Sequence, residues 1–252
     1  MRLAEFRPGH VFWMERGATR LNEDKPRPFV LTTTCGIGAP GTLIYGSTQE
    51  AEAHFGAVGV HVEPRLRGVN RNGLEKRTVF YPGILIRERY ERLPAHAGSV
   101  SASLAALRTA LRIALGIGTG SCLSGVAPSG SRRGRVVRLE HRLARALRTR
   151  FAVILTQPRY SIARHYQLIL PLLPDDAALI EPAVLRLPSS DWMRVFARSV
   201  TSVLAPIPLV HSIWHRRDIE DETPYVLDEA SLDQIDQRLC GFFSLAPPTP
   251  DA

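Results

Sequence analysis

The stretch KPRPFVLTTTCGIGAPGTLIYGSTQ, residues 25–49, contains two short apolar runs separated by a turn rich in Gly and Pro. Short apolar runs between such breakers predict two adjacent β-strands. Arg27 begins the first run, and Ser47 and Thr48 end the second. These three side chains are either ordinary strand ends or the working edge of a functional site.

Similar runs continue on both sides of this stretch. They predict strands at 10–14, 28–34, 42–46, 57–62 and 78–86. Leucines at helical spacing then predict one closing helix, through Leu104, Leu107, Leu111 and Leu115. Several short strands followed by a helix predict a mainly β fold, a small β-barrel with helices added.

The chain also repeats itself. RPGHVFWME (7–15) resembles RRGRVVRLE (132–140), RPFVLTT (27–33) resembles RFAVILTQ (150–157), GTLIYGST (41–48) resembles YQLILPLL (166–173), and SLAALRTAL (103–111) resembles SLDQIDQRL (231–239). Four matches in the same order indicate a duplication. We therefore predict a first barrel at 1–116, a Gly/Ser-rich linker at 117–131 and a second, degenerate barrel at 132–252.

Composition excludes several classes of protein. The 252 residues are 44% hydrophobic, which is typical of a globular chain, and no apolar run approaches the ~20 residues of a membrane span. The start of the chain lacks the apolar segment of a signal peptide. Three widely spaced cysteines indicate neither a disulfide framework nor a metal site. We expect a cytoplasmic protein with no metal and no cofactor.

The charge pattern favours an anionic partner. The net charge is +8 and only Lys25 and Lys76 are lysines, so arginine carries nearly all the positive charge. Arginine suits phosphate because its planar fork donates two hydrogen bonds, although GC-rich codons also raise arginine content. The predicted nucleic-acid-binding residues are basic and lie in two loops of the first unit: Arg16, Arg20, Lys25, Arg65, Arg67, Arg71, Lys76 and Arg77. Phe80 and Tyr81 follow closely and are either base-stacking or core residues.

The second unit contains an additional basic segment, RLEHRLARALRT, at 138–149. Its leucines fall on one helical face and its arginines on another, which predicts an amphipathic basic helix. Such a helix either packs through its leucines with a solvated arginine face or follows a phosphate backbone.

The order of these motifs resembles the PemK/MazF/CcdB superfamily of bacterial toxins. The opening strand has the pattern Gly9-x-Val11-x-Trp13, and an Arg27-Pro28 step begins the next apolar strand. A strand ending in Ser47-Thr48-Gln, an Asn-Gly-Leu step at 72–74 and the leucine-spaced helix then follow. The resemblance implies two tandem SH3-like barrels, each with a C-terminal helix, arranged as a pseudo-dimer.

The resemblance also implies an activity. PemK and MazF members are metal-independent endoribonucleases that cut single-stranded RNA and are neutralised by an antitoxin protein. The family's catalytic arginine corresponds to Arg27, and its strand-end hydroxyl corresponds to Ser47, with Thr48 as the adjacent alternative. His10 is the nearest candidate for the general base, since imidazole titrates near neutrality.

Departures from the family pattern keep a second function open. Family members carry an acidic residue and an arginine where this chain has TVFYPGILIRE, at 78–88. The second unit keeps Arg150 but has Phe151 in place of proline and Leu172 where Ser47 falls. A non-catalytic module that binds nucleic acid or protein is therefore the alternative. A gyrase poison is less favoured because the C-terminus lacks the Trp-Gly-Ile ending of CcdB members.

Overall fold

The computed structural model describes residues 5–18, 25–36, 40–48, 59–68, 71–117, 133–156, 166–174, 184–188 and 202–245. The chain divides into two compact units, Met1–Leu111 and Arg112–Ala252. Arg20 and nearly all of the predicted linker lie outside the described residues. The fold is mainly β, with one curled antiparallel sheet in each unit.

The first unit is built on a six-stranded sheet. Its strands are β1 (His10–Met14), β2 (Arg27–Leu31), β3 (Gly41–Ser47), β4 (Val60–Val62), β5 (Thr78–Glu88) and β6 (Gly98–Ser99). The strand order is β4-β5-β3-β2-β1-β6. Helix α1 (Leu104–Ala114) follows after two 3-10 turns, Tyr90–Arg92 and Ser101–Ser103. Five predicted strands and the predicted helix are confirmed to within a few residues at the boundaries that the structure describes, and residues 57 and 58 of the predicted strand 57–62 lie outside the described residues.

Both faces of the central strands are buried, so their sequences are apolar runs and do not alternate. The core includes the fully buried side chains of Phe12, Phe29, Leu43, Ile44 and Phe80. Burial of both faces is the reason that these strands read as continuous hydrophobic segments.

The first sheet curls because β5 bends and a loop joins the two edges. The pairing of β3 with β5 changes register between Ile44 and Tyr45, beside the Pro82-Gly83 step of β5. Such a bulge increases the local twist of a strand. At the open side, the N–H of Ser99 on edge strand β6 donates to the carbonyl of Arg71, at 3.0 Å. Arg71 belongs to the loop that leaves the opposite edge strand β4, so this bond closes the half-barrel.

The second unit contains a seven-stranded sheet. Its strands are β7 (Arg135–Leu139), β8 (Phe151–Ile154), β9 (Tyr166–Pro174), β10 (Val184–Pro188), β11 (Ser202–Pro206), β12 (His211–Trp214) and β13 (Ile219–Val226). Its helices are α2 (His141–Leu147), α3 (His215–Asp218) and α4 (Glu229–Phe243), with a 3-10 turn at Ile207–Leu209. The order is β10-β11-β9-β8-β7-β13, and β12 also pairs with β9.

The two units share one topology. Each begins with a three-stranded meander, and each later adds a strand beside the first and the third strand of that meander. In the first unit, the bent strand β5 covers the whole third strand. In the second unit, two strands pair with the third strand: β11 pairs with its end and β12 pairs with its start. The 3-10 turn at Ile207–Leu209 separates β11 from β12, as the bend separates the two halves of β5. The duplication predicted from four short sequence matches therefore has a counterpart in the strand order.

A glycine at the start of each meander strengthens the comparison. Gly9 has φ +93° and Gly134 has φ +83°, a backbone conformation that favours glycine. The N–H of Gly9 donates to the carbonyl of Leu31 at 2.8 Å, and the N–H of Gly134 donates to Ile154 at 2.8 Å. The repeated Gly in the two opening segments is thus a backbone requirement at one equivalent place.

A threonine hydroxyl supplies a second repeated contact. Thr33 Oγ1 accepts from the N–H of Thr42 at 3.0 Å in the first unit. Thr156 Oγ1 accepts from the N–H of Leu168 at 2.8 Å in the second. In both units the bond joins the end of the second strand to the start of the third.

The basic segment at 138–149 is a shorter helix than predicted. β7 continues to Leu139, and α2 runs only from His141 to Leu147. Arg138 therefore lies on a strand, where it forms an ion pair with Glu220 of β13 at 3.3 Å. The helical pattern of leucines extends across a strand and a helix because Leu139 and Leu143 are both buried in the same core.

Three further sequence expectations concern membrane-spanning helices, cysteines and metal ligands. No helix within the described ranges is long and apolar enough to cross a membrane. Cys35 and Cys240 are both buried free thiols, and burial raises the pKa of each. Among the residues described, no three His, Cys, Asp or Glu side chains cluster as metal ligands would.

Candidate nucleic-acid site

The hairpin of β2 and β3 brings Arg27 to Ser47. Phe29 pairs with Tyr45, so continuing the antiparallel register sets Arg27 opposite Ser47. Arg27 Nη1 donates to Ser47 Oγ at 3.0 Å, and its guanidinium carbon lies 5.9 Å from the centre of the Tyr45 ring. Arg27 is 8% exposed and Ser47 is 2% exposed, so the pair is buried and is not a surface contact. The structure thus brings together two of the four residues that the sequence offered as catalytic candidates.

Arg27 and Ser47 belong to a row of side chains that crosses the sheet. Met14 pairs with Arg27, Ser47 pairs with Val79, and Val79 pairs with His61. Residues directly opposite one another in neighbouring strands share a face. The row therefore runs from β1 to β4 on one face, and it ends in an exposed histidine.

Five strand ends place basic residues at the same end of the sheet. β1, β3 and β4 finish there, and β2 and β5 begin there, as the pairs Met14–Arg27, Ser47–Val79 and Val62–Thr78 show. We call this the basic end, and we define it by the residues just outside those strands: Arg16, Lys25, Arg65, Lys76 and Arg77. Lys25 is half-buried and the other four are exposed. Thr48, also exposed, follows Ser47 at the same end.

Acidic side chains also lie at this end: Glu15 and Glu75 are exposed beside Arg16 and Lys76, and Glu63 pairs with Arg77. Arg77 Nε and Glu63 Oε1 are 3.3 Å apart, and both side chains are more than half exposed. The register Val62–Thr78 continues to place Glu63 opposite Arg77, on the same face as His61. Glu63 directly follows β4 and Arg77 directly precedes β5, so this ion pair joins the ends of two neighbouring strands.

A buried asparagine orders the loop between β4 and β5. Asn72 Oδ1 accepts from the N–H groups of Arg65 and Leu74, at 2.9 and 3.1 Å, and Asn72 Nδ2 donates to the carbonyl of Glu63 at 2.8 Å. Trp13 Nε1 donates to the carbonyl of Gly73 at 3.0 Å. These bonds fix the backbone on which Arg65 is presented to solvent.

Replacing Asn72 by alanine should destabilise the first unit by about 3 kcal/mol, since three backbone groups would each lose a partner and the net effect of each is about 1 kcal/mol. Urea unfolding followed by tryptophan fluorescence measures the change. Arg71→Ala removes an exposed neighbouring side chain and should change stability by less than about 0.5 kcal/mol. Equal stability of Asn72→Ala and wild type would contradict this role of Asn72.

His10 lies at the other end of the sheet. β1 is antiparallel to β2, so the start of β1 is far from the start of β2, about 13 Å along the strand at 3.3 Å per residue. The His10 ring stacks on the His96 ring, with centroids 4.2 Å apart. Burial, then His96 and Arg7, lower the pKa of His10. The structure does not bring His10 together with Arg27 and Ser47, so a base at that site has to come from another residue.

The other predicted residues are distributed as follows. Arg67 and Arg71 are both exposed on the loop around Asn72, and the carbonyl of Arg71 accepts from the N–H of Ser99 on β6. Phe80 and Tyr81 are both buried, so neither ring is presented for base stacking. These two aromatic residues belong to the core, as one of the two interpretations of the sequence had it.

The equivalent place in the second unit has different chemistry. Continuing the register of Phe151 with Leu172 sets Arg150 opposite Leu173, so Leu173 occupies the place of Ser47, one residue beyond the position expected from the sequence match. Arg150 is exposed. Thr149 Oγ1 donates to the carbonyl of Leu172 and joins the two strands there. The second unit thus keeps the arginine but has no hydroxyl opposite it.

Comparison with known proteins assigns no family. No protein-family model matches the chain, and no curated protein sequence matches it. The resemblance to the PemK/MazF/CcdB superfamily therefore rests on the sequence motifs, and the function has to be argued from the geometry of the site.

Sequence reasoning missed three residues at the site: His61, Glu63 and Asn72. His61 and Glu63 lie in a short edge strand and in the residue after it, and no motif marks them. In the sequence, Asn72 is marked only as the first residue of an Asn-Gly-Leu step. The Asn-Gly pair, with Gly73 at φ +68°, was the available signal that a turn with special backbone geometry lies there.

Proposed function

We propose that the chain is a tandem PemK/MazF-like protein, with two SH3-like barrels that form a pseudo-dimer. The common strand order and the repeated glycine and threonine contacts support a duplication of one unit. Leu173, which takes the place of Ser47 opposite Arg150, supports a division of labour, in which the first unit carries the chemistry and the second is a structural or RNA-holding partner.

The proposed activity is metal-independent cleavage of single-stranded RNA at the basic end of the first unit. The observation that carries it is the 3.0 Å contact between Arg27 and Ser47 at the sheet end where exposed cations converge. Exposed Arg16, Arg65 and Lys76 would hold the phosphate backbone of the strand. Arg27 and Ser47 would then contact the phosphate that reacts.

The reaction follows from the chemistry of RNA. The 2′-hydroxyl attacks the adjacent phosphorus, negative charge increases on the phosphoryl oxygens, and the 5′-oxygen leaves. A fixed guanidinium stabilises that increasing charge, and a preorganised donor of this kind is often the largest contribution to catalysis. Arg27 is held in place by burial and by Ser47, whose hydroxyl would donate a hydrogen bond to a phosphoryl oxygen.

A non-catalytic nucleic-acid- or protein-binding module is the second candidate. Two observations favour it: Arg27 and Ser47 are buried, and Thr149 joins the equivalent strands in the second unit without any arginine–serine pair. On this account the Arg27–Ser47 bond fastens a hairpin, and the basic end binds a strand or an acidic partner without cutting.

Purified chain incubated with a long single-stranded RNA in the presence of EDTA tests the first candidate. We expect products with 5′-hydroxyl and 2′,3′-cyclic phosphate ends, identified by end mapping and by their resistance to direct ligation. Intact RNA that is retained by the protein would reject cleavage and support the binding module. Intact RNA without retention would reject both.

Binding itself should depend steeply on salt. We expect about four phosphate contacts, each of which releases ~0.7 counterions from the RNA. The affinity for RNA should therefore be about 50-fold lower at 200 mM than at 50 mM salt. Lys76→Gln should reduce the slope of log affinity against log salt by about 0.7. Arg89→Gln is the matched control, because Arg89 is exposed at the opposite end of the same sheet. Fluorescence anisotropy of a labelled oligonucleotide measures both, and a flat salt response would contradict phosphate contacts.

An antitoxin with an acidic segment is the protein partner we propose for the basic end, since exposed cations there would bind carboxylates as they bind phosphates. We place the activity in the cytoplasm, where buried free thiols such as Cys35 and Cys240 stay reduced. Competition between an acidic peptide and labelled RNA for the same surface would support this assignment.

A further inference from the structure

The proposed cleavage lacks a base, because His10 lies at the wrong end of the sheet. A base has to stand near the 2′-hydroxyl while Arg27 and Ser47 hold the adjacent phosphate. The row of side chains described above offers one histidine on the correct face. Ser47 pairs with Val79, and Val79 pairs with His61.

Distance and exposure both suit a nucleotide. His61 is two strands from Ser47, about 10 Å between their backbones at 4.8 Å per strand. Val79 lies between them on the same face and is 5% exposed, so a nucleotide would lie across Val79 with its phosphate toward Ser47 and its ribose toward His61. Ser47 is buried, whereas His61 is exposed, so the row leads from the enclosed Arg27–Ser47 pair to a ring in contact with solvent.

The charged surroundings of His61 are balanced. Just past the end of its own strand, Glu63 follows two residues later on the same face. Arg77, just before β5, contacts Glu63 at 3.3 Å, and on β5 Tyr81 is the next group on this face beyond Val79. Arg27 is the charged group on the far side of Ser47. Glu63 and Arg77 thus form an ion pair beside the ring.

We propose that His61 is the general base of this cleavage, a role that rests on the proposed endoribonuclease function. A ring nitrogen of His61 takes the proton of the 2′-hydroxyl as the 2′-oxygen forms its bond to phosphorus. The bond from phosphorus to the 5′-oxygen breaks, and the 5′-oxygen takes a proton from water. The products are a 2′,3′-cyclic phosphate and a 5′-hydroxyl, and His61 returns its proton to solvent.

Single-turnover cleavage of a long single-stranded RNA by the full chain, measured from pH 5.5 to 8.5, tests this role. His61→Gln should cleave about 100-fold more slowly, the lower end of the range for general base catalysis, with RNA affinity within twofold of wild type. The wild-type rate should rise with pH, as general base catalysis requires, and this rise should be absent in His61→Gln. Added imidazole should partly restore cleavage by His61→Ala.

His141→Gln is the control, since His141 is an exposed histidine of α2 in the second unit. Wild-type rate and pH profile in His61→Gln would overturn the assignment of His61 and leave the ribonuclease proposal intact. Loss of RNA affinity in parallel with the rate would also overturn it, in favour of a binding role. Absence of cleavage by the wild type would reject both the endoribonuclease and its base.

Discussion

Arg27→Ala is expected to lower RNA cleavage by about 10²- to 10³-fold, because the buried guanidinium is the only candidate in the described part of the first unit that is both fixed and adjacent to a strand-end hydroxyl. RNA affinity should change much less, since the exposed residues of the basic end provide most of the phosphate contacts. The initial rate of cleavage of an end-labelled RNA, compared with its binding by anisotropy, separates the two effects.

Arg150→Ala is the matched control for this prediction, because Arg150 begins the equivalent strand of the second unit without a hydroxyl opposite it. It should cleave at the wild-type rate. Arg27 is buried, so thermal unfolding by circular dichroism has to show that Arg27→Ala is folded. Ser47→Ala keeps the cation and should lose about tenfold in rate, the cost of one weaker donor. Folded Arg27→Ala with more than a third of the wild-type rate would refute the catalytic role.

Arg133→Met should destabilise the second unit by about 3–5 kcal/mol, the usual cost of removing one partner from a buried ion pair. Arg133 Nη2 contacts Asp236 Oδ1 of α4, and both side chains are 14% exposed. Arg133 Nε also donates to the carbonyls of Leu115 and Leu155, at 3.3 and 3.0 Å. The substitution would leave a buried carboxylate and two carbonyls without this donor. Urea unfolding followed by circular dichroism gives the change in the free energy of unfolding.

The destabilisation caused by Arg133→Met should depend on pH, because Asp236 can take up a proton. Burial raises the pKa of Asp236 to about 6, although Arg133 opposes the shift. A carboxyl whose folded pKa exceeds its unfolded value stabilises the fold most at low pH, and this stabilisation is lost as pH rises through about 6. The deficit of Arg133→Met should therefore be smaller at pH 5 than at pH 7.5, because the unpaired carboxyl can take up a proton.

Arg138→Met provides the comparison for Arg133, since the Arg138 ion pair with Glu220 is 40% and 53% exposed and should contribute less than about 1 kcal/mol. A loss below 1 kcal/mol for Arg133→Met at pH 7.5 would mean that the pair is not an important element of the second core. A deficit that is equal at both pH values would contradict the assigned titration of Asp236.

Comparison of the two units shows which features the repeated fold requires. Gly9 and Gly134 keep the same positive φ, and Thr33 and Thr156 keep the same hydroxyl contact, because both maintain the backbone of the meander. The residues that differ lie at the strand end, where Ser47 is replaced by Leu173. The residues that maintain the backbone are kept in both units, whereas the serine hydroxyl opposite the arginine is found in the first unit and is replaced by leucine in the second.

The helix prediction at 138–149 failed for an instructive reason. Leu139 and Leu143 are four residues apart and both point into one core, so their spacing imitates a helix. Glu140 follows the last residue of β7. Its carboxylate accepts from the N–H of Arg142 at 2.8 Å, so Glu140 is the N-cap of α2. A strand and a helix that bury the same face cannot be separated by hydrophobic periodicity alone.

The amino-acid sequence by itself determined the strands of the first unit, its closing helix and the repeat, and it placed Arg27 at the start and Ser47 at the end of two adjacent strands. These depend on neighbouring residues: apolar runs between breakers define a strand, and a short turn makes two successive strands antiparallel partners. Only the tertiary structure decided that His10 lies far from Arg27, that Glu63 meets Arg77, and that His61 shares a face with Ser47. Those relations depend on strand order and register across the curled sheet, where residues distant in the chain become neighbours without any local pattern that records it.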